Sequence, residues 1–110
     1  MSSVNLTMSE IQAKIGKWAR ATFPDQTDGT LWRHINEEID ELGEALGIDY
    51  ARGRLISVEL ADVAILLLCL ADHVTVDLAE AIAAKHAINI TRTWAEDRHG
   101  IHHHADHKEP

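Results

Sequence analysis

The 110-residue sequence predicts an all-α fold of four helices. Three observations carry that expectation: apolar residues recur at intervals of three and four in four separate stretches, nothing alternates with period two over a useful length, and only two prolines and six glycines interrupt the chain. A chain this long is one domain's worth of core, near the lower end of what folds alone. Hydrophobic residues at 45% and charged residues at 25% are ordinary for a folded domain.

Each helix has its own justification. Ser9 and Gln12 have the spacing of a capping box, and Ile11, Ile15, Trp18 and Ala19 follow on one face. This first helix is expected to end near Thr22, ahead of Phe23-Pro24 and the loop 25–29. The second runs from about Thr30 to Leu46 on the stripe Leu31, Ile35, Ile39, Leu42 and Leu46, with Gly47 as its C-terminal cap. The third spans roughly 55–72, and its second half is apolar almost all round, which marks the central helix. The fourth begins at Thr75 or Asp77 and continues to about Trp94. The domain so defined covers 9–95, and the His-rich remainder, 96–110, shows no periodicity and reads as a disordered tail.

The formal net charge of −8 opposes a nucleic-acid polymer, whose phosphates need a basic face. It permits a nucleotide, because divalent cations reverse the sign of a carboxylate-lined site. The single cysteine, Cys69, rules out an internal disulfide and lies in an apolar run of nine residues, about half a membrane span. No signal peptide is visible, so a cytoplasmic location without membrane association is expected.

The chemistry lies in the acidic residues. Glu37, Glu38, Asp40, Glu41 and Glu44 crowd the second helix, where like charges one turn apart destabilise it. Glu38 and Glu41 share a face, and Glu59 and Asp62 repeat the i,i+3 spacing at the mouth of the apolar third helix. Two antiparallel helices carrying such pairs bring four carboxylates to one point, a set of hard oxygen ligands suited to Mg²⁺. Acidic helix faces are more often simply solvated, so spacing alone leaves both readings open. A di-iron bundle needs Glu-x-x-His pairs, and neither acidic pair supplies one. Lys85, Asn89 and Arg92, at i, i+4 and i+7, form a cationic and amide stripe of the kind a polyphosphate requires.

Taken together, His34-Ile-Asn-Glu-Glu38-Ile-Asp-Glu41-Leu42, Glu59-Leu-Ala-Asp62-Val63 and Lys85-x-x-x-Asn89 resemble the MazG-like all-α nucleoside triphosphate pyrophosphohydrolase superfamily over residues 10–95. Trp18-Ala19, Thr22-Phe23, the glycine-containing loop before His34, and Asn89 with Arg92-Thr-Trp94 resemble its dATP/dGTP branch most; Trp94-Ala95 lacks the proline often found there. The resemblance implies an oligomeric four-helix MazG-like bundle, a homodimer or homotetramer. It implies that Glu38, Glu41, Glu59 and Asp62 hold two or three Mg²⁺ ions, with Mn²⁺ as a substitute. Glu37 would take a proton from water, or hold a water, beside the catalytic Glu38 and Glu41. Lys85, Asn89 and Arg92 would hold phosphate or sugar, and His34, Trp18 and Trp32 stand near the expected pocket mouth. For Trp18 and Trp32 stacking on a base and burial in the core are evenly balanced, whereas Trp94 is read as core. The reaction implied is cleavage of the α–β linkage of (d)NTPs, purines preferred, to (d)NMP and pyrophosphate. The alternatives are a dCTP or broad dNTP pyrophosphatase, and a non-catalytic helical interaction module.

Overall fold

In the computed structural model, residues 5–48 and 53–105 are described. Four helices follow one another: α1 (Met8–Thr22), α2 (Asp28–Ile48), α3 (Gly53–His73) and α4 (Leu78–Asn89). Two short strands, β1 (Trp94–Glu96) and β2 (His102–His104), complete the order. The chain divides into two compact units, residues 1–78 and 79–110.

In the first unit, α1 starts two residues earlier than the Ser9–Gln12 spacing suggests. Thr7 is the N-cap: its side chain accepts from the Glu10 N–H at 3.1 Å, and the Glu10 carboxylate accepts from the Thr7 N–H at 2.8 Å. Gln12 is instead buried, and its amide is used elsewhere. Its Nε2 donates to the Val76 carbonyl at 2.7 Å and its Oε1 accepts from the Leu78 N–H at 3.0 Å. At its end, α1 closes with the Phe23 N–H donating to the Ala19 carbonyl at 2.8 Å, and Pro24 forbids a further turn.

Thr27 caps α2 through a reciprocal pair with Thr30, whose N–H donates to Thr27 Oγ1 at 3.1 Å while the Thr27 N–H donates to Thr30 Oγ1 at 2.9 Å. Gly47 does not cap α2 but lies inside it, since helix continues to Ile48. The connection expected over 48–54 falls largely on 49–52, outside the described residues. The Nε2 atom of His73 lies 3.1 Å from Asp28 Oδ1, so the last residue of α3 meets the first of α2 and the two run antiparallel.

Ala19, Leu31, Ile35, Leu66 and Cys69 form the core, with Ile15 and Leu70 packed on it. One element supplies each side of this cluster, and α3 packs against both α1 and α2, the central position its apolar second half implies. On α1, Gly16 is buried under the Asp72 carboxylate, which a Cβ would overlap; Asp72 in turn pairs with Arg20.

The second unit differs from expectation. Helix α4 stops at Asn89 rather than Trp94, and the tail forms an antiparallel hairpin pairing Trp94 with His104 and Glu96 with His102. Asp97 organises its loop, accepting from the His99 N–H at 2.8 Å, the Ile101 N–H at 2.9 Å and, at 2.8 Å, His103 Nε2. Gly100 supplies the left-handed φ of +79°. Trp94 is 43% exposed rather than core, and its indole N–H donates to the Asn89 carbonyl at 3.0 Å. No helix among the described residues is long and apolar enough to cross a membrane.

Candidate metal and nucleotide site

Because α2 and α3 are antiparallel and packed, the two acidic pairs meet. Glu38, Glu41 and Glu59 each bring one carboxylate oxygen within 4.8 Å of the others. Asp62 is close enough to act electrostatically on both Glu38 and Glu59. Partial burial raises the Glu38 carboxyl above its ordinary range, reinforced by the charges of Glu41 and Asp62 and by a hydrogen bond with Glu41, against a small opposing effect of His34. Glu59 is raised likewise, by burial first, then by Glu41, Asp62 and Glu44. Glu59 Oε2 is out of contact with solvent and has no hydrogen-bond partner among the described residues. A buried, unpartnered acceptor facing like charges is an arrangement that a divalent cation resolves. The donor set therefore fits a hard metal.

Next to the carboxylates lies a cavity of about 340 Å³ lined by Trp18, Phe23, Gln26, His34, Glu38, Asp62, Ile65, Leu66 and Cys69. Trp18 and Phe23 meet edge to face, their ring centres 5.3 Å apart. His34 Nε2 is 3.9 Å from Glu38 Oε2. Burial, and secondarily the charge of Asp72, pushes the Cys69 thiol up, so it stays neutral.

Thus the structure brings together Glu38, Glu41, Glu59 and Asp62, with His34 and Trp18 on the adjoining cavity. Glu37 is exposed on α2. Trp32 is 63% exposed and is not among the lining residues of the cavity. Lys85 and Asn89 lie on α4 in the second unit; Arg92 lies beyond the helix, its N–H donating to the Asn89 carbonyl at 3.2 Å, so the three do not share one helical stripe. Asn89 Oδ1 is shielded from solvent and has no hydrogen-bond partner among the described residues. Sequence reasoning does not reach Gln26, Ile65, Leu66 or Cys69 as lining residues. The last three are marked only as core by their apolar run, and Gln26 sits in a polar loop that carries no periodicity.

An antiparallel helix pair with converging carboxylates beside an aromatic cavity defines the class of the all-α nucleotide pyrophosphohydrolases, and comparison with known proteins agrees. The solved structure of a Cyanophage S-2L MazG-like pyrophosphohydrolase, bound to dGDP and three catalytic Mn²⁺ ions per active site, superposes with a TM-score of 0.72 at 39% identity, covering 91% of this chain and 98% of that one. A dATP/dGTP diphosphohydrolase of Cyanophage S-2L is 41% identical over 98 residues, 89% of this chain and 88% of the relative. A second dATP/dGTP diphosphohydrolase, of Salmonella phage PMBT28, is 40% identical over 98 residues, and there the chain spans only 31% of the relative's length. No family model matches the chain. The chain belongs to the MazG-like dATP/dGTP diphosphohydrolase family, enzymes that hydrolyse nucleoside triphosphates.

Proposed function

We propose that the protein is a Mg²⁺-dependent pyrophosphohydrolase that cleaves the α–β phosphoanhydride of (d)NTPs, preferring the purines dGTP, GTP and dATP, with Mn²⁺ able to replace Mg²⁺. The observation that carries this reading is the convergence of Glu38, Glu41 and Glu59 within 4.8 Å, next to a cavity that Glu38 and Asp62 also line. Glu38, Glu41, Glu59 and Asp62 would hold two or three ions. Divalent cations there supply the positive charge that a triphosphate needs and lower the pKa of nearby water.

The chain's own residues do the rest. Glu37, exposed next to Glu38, takes the proton of the attacking water or holds a water in place. Water adds at phosphorus, the α–β bridge breaks, and (d)NMP and pyrophosphate leave. Trp18 and His34 bound the cavity and hold the base, and the exposed Trp32 is a further residue for stacking on it. Lys85, Asn89 and Arg92 bind phosphate or sugar. In the cytoplasm the working form is a homodimer or homotetramer. Its support is the apolar surface of the small chain, which leaves Val58, Leu60 and Leu67 of α3 exposed.

The test is incubation with each of the eight common nucleotides and Mg²⁺, followed by separation of products. Monophosphate with pyrophosphate is expected, fastest from purines; diphosphate with orthophosphate contradicts the reading. Glu41→Gln and Asp62→Asn should each abolish turnover and leave the helical circular dichroism intact.

A further inference from the structure

The polar groups around the cavity fall into two sets. Glu38 and Asp62 act on one another, and His34 lies 3.9 Å from Glu38, so these three belong with the carboxylate cluster. Gln26 belongs with the aromatic pair: its backbone N–H donates to the Phe23 carbonyl at 3.2 Å, and Phe23 meets Trp18 edge to face. Gln26 is half-buried and lines the cavity. The remaining lining groups are the apolar Ile65 and Leu66 and the neutral thiol of Cys69. Gln26 is therefore the one uncharged side chain there that offers a strong donor and a strong acceptor side by side.

We infer that Gln26 reads the hydrogen-bonding edge of the base and is the residue that lets one cavity accept both adenine and guanine. The inference rests on the purine-nucleotide reading given under Proposed function. Adenine presents an N6 donor beside a ring-nitrogen acceptor; guanine presents the O6 acceptor beside the N1 donor, the same pair in reverse order. A primary amide meets either pattern by turning over about its terminal bond, so neither purine leaves a buried polar group unpaired. The Trp18–Phe23 pair supplies the apolar, sequence-tolerant surface for the ring.

Gln26→Glu separates the two bases. A carboxylate only accepts, so it suits the adjacent N1 and N2 donors of guanine, while adenine offers it one donor next to a ring nitrogen that repels it. At pH 8 the dGTP-to-dATP ratio of kcat/KM is expected to rise by about 5- to 150-fold, the worth of one bidentate base contact. Gln26→Met, of similar length and without a strong donor or acceptor, is expected to weaken both purines. The same variants are titrated with dGMP and dAMP in the presence of Mg²⁺ by calorimetry, which reads base binding without turnover because a monophosphate has no α–β linkage to cleave. Gln26→Glu should favour dGMP there too. A Gln26→Glu protein that retains the wild-type dGTP-to-dATP and dGMP-to-dAMP ratios, or a wild type that binds neither monophosphate, overturns the inference. A wild type that binds both monophosphates selectively but releases no pyrophosphate from any triphosphate overturns the pyrophosphohydrolase reading and leaves the monophosphate ratios to decide the role of Gln26.

Discussion

Replacing Glu59 by glutamine should make the metal-free protein more stable and the metal-loaded protein less so. The side chain keeps its shape and loses one of three charges gathered within 4.8 Å, and its buried Oε2 is the atom left without a partner among the described residues. In EDTA the wild type holds these charges uncompensated, so the variant melts higher. With Mg²⁺ at a hundred times its dissociation constant, binding to the folded state alone adds about 2.7 kcal/mol. Loss of a direct ligand weakens affinity by at least the roughly 100-fold that supporting residues one step removed can cost. The same Mg²⁺ then stands near the variant's dissociation constant and adds only about 0.4 kcal/mol. The difference corresponds to a shift of roughly 10 °C or more in a chain of this size. The assay is a pair of thermal melts, with EDTA and with Mg²⁺, for both proteins. The pH dependence follows from the raised carboxyls of Glu38 and Glu59. A carboxyl raised on folding favours the folded state when protonated, and that advantage is lost as pH rises from the unfolded value through the folded one. The wild-type midpoint in EDTA should therefore fall over that interval, and fall less in Glu59→Gln. A variant that melts lower in EDTA yet keeps the wild-type Mg²⁺ shift refutes the reasoning.

Gly16→Ala should lower the melting point despite the better helix propensity of alanine. The added methyl overlaps the Asp72 carboxylate, and overpacking of about 1–3 kcal/mol outweighs the roughly 0.5–1 kcal/mol gained in the helix; in an Asp72→Ala background the same change should be neutral or stabilising. Thr7→Ala removes the cap of α1 and is expected to cost about 1 kcal/mol by denaturant titration. The hairpin should open on acidification. The Asp97 carboxyl is lowered by its hydrogen bonds from the Ile101 backbone, from His103 and from the His99 backbone, so its stabilisation holds above the unfolded value and is lost as pH falls through the folded one. Loss of amide protection at Ile101 in Asp97→Ala at neutral pH checks the same contact.

The acidic site is legible in the sequence because i,i+3 spacing survives any error in helix ends. Glu38 with Glu41 and Glu59 with Asp62 stay on their faces whether α2 begins at 28 or 30. The caps are less legible. Thr7–Glu10 and Ser9–Gln12 have equivalent spacing, and only the long-range demand of the Val76 carbonyl and the Leu78 N–H for the Gln12 amide decides between them. The hairpin gives no sequence signal, since its paired residues are WAE and HHH, too short and too polar for a period of two, and its order comes from Asp97 and Gly100. Gln26 is invisible for a related reason: a loop residue acquires its neighbours from the fold rather than from its own spacing.

Gln12 has a consequence for how such chains can diverge. Its single amide serves two backbone groups, one wanting a donor and the other an acceptor, both more than sixty positions away along the chain. Glutamate cannot give the proton, lysine cannot take one, and leucine does neither. Substitution at this site is therefore coupled to the segment 74–78: descendants keep glutamine or rebuild that turn, and a drift in one without the other passes through a protein with a stranded peptide group.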